Sequence, residues 1–362
     1  MKKILFSAYS LDVGGIEKAL VTLLNKLQEK SYEITLVLEK KEGIFLEELN
    51  PEIQLLTYTP NADKNVLKRK LKNLIQKIKF AIKYKNKFDF SASFATYSNS
   101  SAYVAQAASK NSCLWGHADY LTLFNGDIKE MKKFFNEKKY SKFKHIVFVS
   151  KEGKESFISL FPKMRTKTMV CNNLIDNEKI EMLSKEEIEL KKEPIVTFLN
   201  VGRHDEKQKK LSRLIEAADK LKQENYKFRI LFVGDGGETE QYKEMVKSKS
   251  LEEQIIFLGR KQNPYPYFLI SDCVVLTSDY EGYPVVFLES MILNKPIITT
   301  KVSDYEEVEE KYGYTTTKEI QDIYEKMKLF MDNGFEIKEK FDVIKYNKNI
   351  INIIENLIKE EK

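Results

Sequence analysis

Short runs of β-branched and aromatic residues alternate along the chain with stretches whose apolar residues recur every three or four positions. In the first half, the strand-like runs are 4–8, 34–38, 88–94, 112–115, 146–149 and 168–171. In the second half they are 195–201, 229–233, 255–258, 273–277 and 297–300. Helical spacing follows the first run of each half, at Ile16, Leu20, Leu23, Leu24 and Leu27 and at Leu211, Leu214, Ile215, Ala218 and Leu221. This alternation predicts an α/β fold with parallel, doubly wound sheets.

The length of the chain predicts two domains, because single cores stop growing at roughly 250–300 residues and this chain has 362. The segment 184–194 (SKEEIELKKEP) is charged, has few large apolar residues and ends in proline, which is typical of a linker. We therefore expect a Rossmann-like N-terminal domain over 1–180 and a Rossmann-like C-terminal domain over 181–335. Two such domains facing each other would place a ligand cleft between the carboxyl ends of their strands.

Composition excludes several classes of protein. Hydrophobic residues make up 42% of the chain and aromatic residues 12%, so both domains can form real cores and a disordered chain is excluded. The three cysteines lie far apart without a CxxC pair, and the three histidines are scattered, which argues against a disulfide scaffold and against a zinc site. No apolar run approaches the ~18 residues that span a bilayer. Asp12 interrupts the apolar N-terminus, so a buried first strand is favoured over a signal peptide.

The formal net charge of +6 is unevenly distributed. Residues 1–180 contain 31 Lys and Arg against 19 Asp and Glu, and the remainder of the chain is net acidic. A basic N-terminal half indicates an anionic surface or substrate on that side.

Much of this excess lies in the segment 64–87, which has ten basic residues and no acidic one. Its apolar residues recur at helical spacing, at Leu67, Leu71, Leu74, Ile75, Ile78 and Ile82. The pattern predicts a basic amphipathic helix, and the segment 129–144 is a second basic stretch, with four aromatic residues. An ordinary solvated helix is one reading. Docking on anionic lipid, at about 1 kcal/mol per basic residue, is another. Nucleic acid is less favoured, because no nucleic-acid module is visible.

The segment 278–296 (SDYEGYPVVFLESMILNKP) follows a predicted strand and opens a helix over Val285–Leu293. Gly282 permits a tight turn, and Pro284 suits a first helical turn. The N-terminus of this helix would offer unpaired N–H groups and partial positive charge to a phosphate. Glu281 and Glu289 flank that position, where a carboxylate would repel an anion unless the ligand also carries hydroxyl groups. Taken alone, a capping role for Glu281 and a solvated Glu289 are the simpler reading.

A second cluster, Asn200–Ala217 (NVGRHDEKQKKLSRLIEA), also joins a predicted strand to a helix. Arg203 is one of six arginines in the chain, and its guanidinium can form a fork with a diphosphate. Lys209 could add a point charge, although solvated lysines are the simpler reading for Lys207 and Lys210. Glycine loops are less specific: VGDGG at 233–237 lacks the third glycine of a dinucleotide fingerprint, and Gly14–Gly15 after the first strand would let phosphate approach the backbone.

Together these clusters resemble glycosyltransferase family 4, a retaining family with the GT-B fold. The resemblance covers nearly the whole chain and is strongest over 195–300. Its motifs are GGIEKALVTLL, CLWGHADY, FVSKEGKESF, VCNNLID, VGR…K…LIEA, LGRKQNPYPYF, SDYEGYP and KPIITT. Several match enzymes that build bacterial surface polysaccharides. Lys210 departs from the pattern, since glycine often follows the motif lysine, and the choice among Lys207, Lys209 and Lys210 stays open.

The resemblance implies an acceptor-binding N-terminal domain and a nucleotide-sugar-binding C-terminal domain, with the helix in 336–362 packing back on the former. It implies catalytic roles for Glu281, His117, Arg203 and Lys209. The implied donor-binding residues are Gly15, Asn263, Arg203, Lys209, Gly282, Tyr283, Pro284, Val285 and Glu289. Glu281 is expected to hold hydroxyls of the transferred sugar rather than to act as a nucleophile, and Glu289 would hold the ribose hydroxyls.

The implied reaction is retaining transfer from a nucleotide diphosphate sugar, with UDP favoured, to a glycan or polyprenyl-linked acceptor. Capsule, exopolysaccharide or lipopolysaccharide synthesis is the expected setting. Since the chain lacks Asp-x-Asp, we expect no metal and no other cofactor, and the leaving diphosphate would be stabilised by Arg203, Lys209 and a helix dipole. We expect a cytoplasmic protein at the inner face of the cell membrane, with no nucleic-acid partner. The alternatives are a non-catalytic sugar-nucleotide-binding subunit and an NAD-dependent oxidoreductase, which the failed glycine fingerprint disfavours.

Overall fold

The computed structural model describes residues 1–12 and 14–360, which divide into two compact units. The first unit comprises 1–175 and 344–360, and the second comprises 176–343. The segment 184–194, expected to be a linker, therefore lies inside the second unit. Residues 361 and 362 of the expected C-terminal segment lie outside the described residues. Each unit contains one parallel sheet flanked by helices, which confirms the predicted fold class.

The first unit has a seven-stranded sheet in the order β3-β2-β1-β4-β5-β6-β7. Its strands are β1 (Lys3–Ala8), β2 (Glu33–Leu38), β3 (Gln54–Thr57), β4 (Phe90–Ser93), β5 (Ser112–Gly116), β6 (His145–Phe148) and β7 (Thr168–Val170). Its helices are α1 (Gly15–Gln28), α2 (Val66–Tyr84), α3 (Asn99–Ala108), α4 (Tyr120–Leu123), α5 (Ile128–Glu137) and α6 (Lys151–Leu160). The aromatic core of this unit includes Phe135 and Phe143 from the second basic stretch, so these two rings are buried rather than available for docking.

The second unit has a six-stranded sheet in the order β10-β9-β8-β11-β12-β13. Its strands are β8 (Val196–Val201), β9 (Phe228–Val233), β10 (Ile255–Gly259), β11 (Cys273–Leu276), β12 (Ile297–Thr300) and β13 (Gly313–Thr316). Its helices are α7 (Asn177–Leu183), α8 (Leu211–Gln223), α9 (Thr239–Ser248), α10 (Tyr265–Leu269), α11 (Val285–Ile292) and α12 (Ile320–Asn333). The apolar positions that predicted α8 are all buried in the core of this unit.

The last helix, α13 (Val343–Lys359), belongs almost entirely to the first unit, and hydrogen bonds to backbone carbonyls link it to the rest of that unit. Lys2 Nζ and Asn111 Nδ2 donate hydrogen bonds to Ile358 O and Leu357 O, at 3.0 and 2.7 Å. Near the start of the helix, Tyr346 OH donates to Asn173 O at 2.9 Å. No helix of the described residues is long and apolar enough to cross a bilayer.

Chain order reverses at one position in each sheet. The first strand of each unit, β1 or β8, lies between the second strand and a later one, β4 or β11. In open parallel sheets, ligands bind beyond the carboxyl ends of the strands at this position. The loops after β8 and β11 are therefore the first place to look for a site in the second unit.

Candidate active site

The loops that follow β8 and β11 are joined by hydrogen bonds at the position where the strand order reverses. Thr277 Oγ1 donates to the carbonyls of Lys209 and Lys210, at 3.1 and 2.9 Å. Asp279 N donates to Gln208 O at 2.8 Å. These bonds bring the two predicted clusters, 200–217 and 278–296, into one site.

Glu281 is at the centre of this site and is only 5% exposed. One carboxylate oxygen, Oε1, accepts hydrogen bonds from Lys209 Nζ at 2.7 Å and from Ser278 Oγ at 2.6 Å. The other oxygen, Oε2, accepts from Gln208 Nε2 at 3.3 Å. A buried carboxylate is costly unless it is paired and hydrogen-bonded, and this one has both kinds of partner. The arrangement fixes a negative oxygen pair beside an ammonium group.

The same geometry distinguishes the three candidate lysines. Lys209 is largely buried against Glu281, whereas Lys207 is exposed and Lys210 Nζ lies 3.5 Å from Glu206. Lys210 has φ +51, in the left-handed region that favours glycine. The lysine therefore occupies a strained position, which explains why glycine suits this point of the motif.

Arg203 lies on the same loop but faces solvent. Its side chain is 66% exposed, and Nη2 lies 3.1 Å from Asp205 Oδ2 and 3.4 Å from Gln208 Oε1. The loop itself is held by the VGDGG turn, since His204 N donates to Asp235 O at 3.1 Å. A Cβ at Gly236 would lie 1.9 Å from His204 O, so glycine is required there. The structure thus brings Arg203 to the site's rim rather than into contact with Glu281.

The turn at 282–284 precedes α11, and neighbouring loops hold it in place. Ser303 Oγ donates to Gly282 O, Tyr283 OH donates to Glu307 Oε2 at 2.6 Å, and Pro284 is the N-cap of α11. Because the first N–H groups of a helix lack intrahelical partners, the amides from Val285 onward present partial positive charge at this end. The helix start that the sequence predicts is therefore formed in the structure, and its role in binding an anion stays a prediction.

Glu289 lies within α11 and is 6% exposed, so it is not the solvated residue of the simpler reading. Tyr265 OH donates to its Oε1 at 3.2 Å. Asn263 positions that tyrosine, because its Oδ1 accepts from Tyr265 N at 3.1 Å. The amide nitrogen of Asn263 donates to Leu183 O and Glu186 Oε2, both at 2.8 Å. In this structure the Asn263 amide is thus occupied in holding the loop before α10.

Two further predicted residues, Gly15 and His117, lie beyond the carboxyl ends of β1 and β5 in the first unit. A Cβ built on Gly15, the first residue of α1, would meet no atom within 4 Å, so the backbone there borders open space. The His117 ring packs on Phe94 with ring centres 4.4 Å apart. Burial lowers the pKa of His117 to about 3, so the imidazole is neutral near pH 7.

The ring nitrogens of His117 have no well-formed hydrogen bond within the part of the chain that the structure describes. Burial has the larger effect on the pKa of this histidine, and the backbone of Phe94 opposes it. A neutral imidazole of this kind can donate or accept one hydrogen bond to a substrate hydroxyl, but it cannot supply positive charge.

Sequence reasoning missed Ser278, Gln208 and Tyr265, which contact Glu281 or Glu289 directly. All three belong to segments that the motifs already marked, but nothing in their type or spacing indicates which carboxylate they reach. Among the described residues, no group of three or more His, Cys, Asp or Glu side chains is placed to hold a metal ion.

Comparison with known proteins gives a family match that covers most of the second unit. Residues 181–350 match the family model described as Glycosyl transferases group 1. Over 317 residues the chain is 28% identical to an N-acetylgalactosamine-N,N'-diacetylbacillosaminyl-diphospho-undecaprenol 4-alpha-N-acetylgalactosaminyltransferase of Campylobacter jejuni, covering 83% of this chain and 81% of that protein. A match of 29% to an uncharacterized glycosyltransferase of Methanocaldococcus jannaschii covers 45% of this chain and 41% of that protein.

Among solved structures, HepE of Anabaena in complex with UDP superposes with a TM-score of 0.75. The alignment covers 98% of this chain and all of that one, at 18% identity. TarM superposes with a TM-score of 0.76 at 13% identity, covering 99% of both chains. Similarity at this level establishes the shared two-sheet fold.

Proposed function

We propose that the chain is a group 1 glycosyltransferase and that it transfers a sugar with retention from UDP-sugar to a glycan or polyprenyl-linked acceptor. The match of residues 181–350 to that family, the relatives described above and the GT-B fold support this proposal. The observation that carries the proposal is the buried Lys209–Glu281 pair beside the start of α11. HepE, which shares the fold, was solved with UDP. The Campylobacter relative acts, by its name, on a diphospho-undecaprenol substrate.

The diphosphate of the donor binds between Lys209, Arg203 and the amides at the start of α11. Lys209 carries three N–H donors and gives one of them to Glu281, so others can reach phosphate oxygens. Arg203, exposed on the rim, can turn from Asp205 to form a fork on the diphosphate. These groups stabilise the charge that develops as UDP leaves, which is the electrostatic task in this reaction. We propose that this stabilisation needs no metal ion.

Glu281 orients the donor sugar by accepting hydrogen bonds from its hydroxyl groups. Its Oε1 is already engaged by Lys209 and Ser278, which lowers its capacity to act as a nucleophile. Retention then follows a front-face route, in which the acceptor hydroxyl attacks as its proton passes to the departing phosphate oxygen. The glycosidic bond forms as the sugar–phosphate bond breaks, so no protein nucleophile is required.

His117 contacts the sugar or the acceptor through a ring nitrogen. Since burial keeps the ring neutral, it contributes a hydrogen bond rather than a charge. Glu289, supported by Tyr265, accepts hydrogen bonds from the ribose of UDP. The acceptor binds to the first unit near Gly15, where the backbone borders open space.

We place the reaction in the synthesis of capsule, exopolysaccharide or lipopolysaccharide, with the protein at the inner face of the cell membrane. The exposed basic helix α2 of the first unit supports this location, because basic residues are attracted to anionic lipid. A polyprenyl-linked acceptor would be held in the same membrane.

The test is release of UDP from a panel of UDP-sugars, measured with and without lipid-linked acceptor, for wild-type protein and the variant Glu281→Gln. Acceptor-dependent UDP release that falls at least ~100-fold in the variant supports the assignment. UDP binding without any transfer across the panel would favour a non-catalytic binding subunit. Equal turnover in the two proteins would refute the role of Glu281.

A further inference from the structure

The side chain of His204 is buried beside the loop that carries Arg203, although the proposed chemistry does not use it. The imidazole is 1% exposed, and within the described part of the chain its one polar contact joins Nδ1 to Thr239 Oγ1 at 2.8 Å. Nε2 is buried there without a hydrogen-bond partner, which destabilises a fold and therefore calls for an explanation. The ring packs among three aromatic rings with centres 5.9 to 6.1 Å away: Phe232, Tyr242 and Phe257.

The contact with Thr239 determines which nitrogen of His204 carries the proton. The Thr239 hydroxyl and the Gly236 amide lower the pKa of Asp235, so Asp235 is a carboxylate near pH 7 and can only accept. The Thr239 hydroxyl lies 2.7 Å from Asp235 Oδ1 and donates its proton there, while Gly236 N donates to the hydroxyl oxygen at 3.0 Å. That oxygen can then only accept from His204, so Nδ1 is the protonated nitrogen. Burial lowers the pKa of His204, which keeps the ring neutral near pH 7 and leaves Nε2 bare.

The loops after β8 and β9, which this bond joins, already run side by side. The parallel ladder continues beyond the ends of the two strands, because Gly202 N donates to Val233 O at 3.0 Å and His204 N donates to Asp235 O at 3.1 Å. Arg203 lies between the two residues that make these bonds. The backbone on both sides of Arg203 is therefore held against the neighbouring loop.

The bond from His204 to Thr239 fastens the end of this stretch to the first turn of α9. The chain turns directly afterwards, where Asp205 Oδ1 accepts from Gln208 N at 3.0 Å. The guanidinium of Arg203, by contrast, has only the exposed contacts with Asp205 and Gln208 described above. The structure thus fixes the base of the Arg203 side chain and leaves its charged end free to reach a ligand.

We propose that His204 is a positioning residue for the donor diphosphate, which acts through Arg203 by holding the loop 202–205 against α9 with its Nδ1 proton. A guanidinium forms a fork with a diphosphate only in a narrow range of positions, so a loop displaced by about 1 Å stabilises the leaving group less well. The bare Nε2 is explained as well, because a neutral ring has one proton and the bond to Thr239 requires it on Nδ1. This inference rests on the proposed function and adds to it a residue that does not touch the substrate.

The simpler alternative is that His204 only fills the space among the aromatic rings. The two roles depend on different parts of the side chain, because packing uses the volume of the ring whereas positioning uses the N–H group at Nδ1. Leucine keeps most of the volume and removes the donor. Asparagine loses most of the ring, but its amide nitrogen can take the place of Nδ1. Substitution at this one position therefore separates the two roles.

The experiment compares kcat for transfer from UDP-sugar with the melting temperature of the full-length protein, for wild type, His204→Leu and His204→Asn. We expect His204→Leu to melt close to wild type and to lower kcat by on the order of 10-fold, with an unchanged KM for the acceptor. His204→Asn should melt earlier, because the space of the ring is not refilled, yet keep kcat within about three-fold of wild type. The proposal is overturned if kcat follows the melting temperature in the two variants, or if His204→Leu turns over as fast as wild type.

A double variant tests whether His204 acts through Arg203. In the Arg203→Ala background, His204→Leu should lower kcat no further, because the group that it positions is already absent. An equal loss of kcat in both backgrounds would contradict this route. The matched control is Glu240→Ala, which should behave as wild type because Glu240 follows Thr239 in α9 and its side chain is 80% exposed.

The position of the proton can be tested without turnover. The chain contains three histidines, so ¹⁵N NMR of protein with labelled histidine gives three pairs of ring nitrogens, and the pair missing in His204→Leu belongs to His204. We expect a protonated Nδ1 and a bare Nε2 near pH 7. The opposite tautomer, or a charged ring, would overturn the proposal.

Failure of the proposed function can be told apart from failure of this inference. A wild-type protein that UDP does not stabilise and that transfers no sugar would refute the donor assignment, and this inference with it. A wild-type protein that transfers sugar, together with an equally active His204→Leu, would overturn this inference alone.

Discussion

The ammonium group of Lys209 lies 2.7 Å from a carboxylate oxygen of Glu281, although 72 residues separate them in the chain. The contact exists because β8 and β11 are neighbours in the sheet, so that the loops beyond their carboxyl ends meet. It pairs the residue assigned to the sugar with the lysine assigned to the diphosphate. Before the donor binds, each therefore compensates the charge of the other.

Removing one member of this pair should destabilise the fold. In Lys209→Ala, the Glu281 carboxylate loses its cation while it stays buried, and we expect the free energy of unfolding to fall by about 2 kcal/mol. Urea denaturation measures this. The double variant Lys209→Ala/Glu281→Ala should cost less than the sum of the single changes, and Lys207→Ala, at an exposed position, serves as the control. Strict additivity would mean that the pair contributes nothing.

Arg203 should affect the reaction but not the fold. Its guanidinium is exposed and pairs with a single carboxylate, so Arg203→Ala should leave the melting temperature within error. Loss of its charge on the departing diphosphate should lower kcat at least ~100-fold. Arg203→Lys should recover part of this, since a point charge remains but the fork does not. The prediction is wrong if Arg203→Ala raises KM without lowering kcat, or if its melting temperature is below that of wild type.

Much of the fold could be predicted because buried parallel strands are nearly continuous apolar runs. Strands β3 and β13 escaped prediction, since QLLT and GYTT are short and lie at sheet edges. The charged segment 184–194 was interpreted as a linker because composition alone does not show that its charged residues form ion pairs and hydrogen bonds with the second unit. In the structure its Glu193 and Lys191 O bind the buried Arg229, and Lys192 pairs with Asp272 at 2.6 Å.

The site was predictable as two segments but not as a set of contacts. Motif spacing placed Glu281 and Lys209 in their loops, whereas their pairing depends on strand order, which no local pattern shows. The amphipathic pattern of α2 was also predicted. The orientation of its apolar face, away from the domain, could not be predicted, because the pattern shows two faces but does not show which one packs on the core.

Lys210 offers a test of backbone strain. With φ +51 at the N-cap of α8, a side chain costs energy that glycine would not. We expect Lys210→Gly to raise the free energy of unfolding by up to ~1 kcal/mol, after the greater flexibility of glycine in the unfolded chain is deducted. Thermal unfolding measures the gain. Lys210→Ala, which keeps the strain and removes the ammonium group, is the control and should not stabilise.

The ring nitrogens of His117 are buried, and we therefore expect the stability of the fold to depend on pH. The pKa of His117 is about 3 in the folded protein and near 6.5 when unfolded, so the unfolded state binds more protons between these values. Above pH 6.5 the ring is neutral in both states and costs no stability. As the pH falls from 6.5 to 5, protonation of the unfolded state lowers the free energy of unfolding by about 2 kcal/mol. Urea midpoints of wild type and His117→Gln over this range test it. The wild type should lose more stability than the variant, and parallel curves would contradict the prediction.

Chelation tests how the leaving diphosphate is stabilised. The proposed groups are Lys209, Arg203 and the amides at the start of α11, which together supply two full charges and a helix dipole without a divalent cation. Transfer measured as UDP release should therefore keep its rate in excess EDTA, and added Mg²⁺ should leave kcat unchanged within about two-fold. Arg203→Ala provides the discriminating comparison. If Mg²⁺ rescued this variant but not wild type, the cation would be replacing the guanidinium. If EDTA abolished wild-type transfer and Mg²⁺ restored it, the side chains named here would be insufficient, and the assignment of diphosphate stabilisation to them would fall.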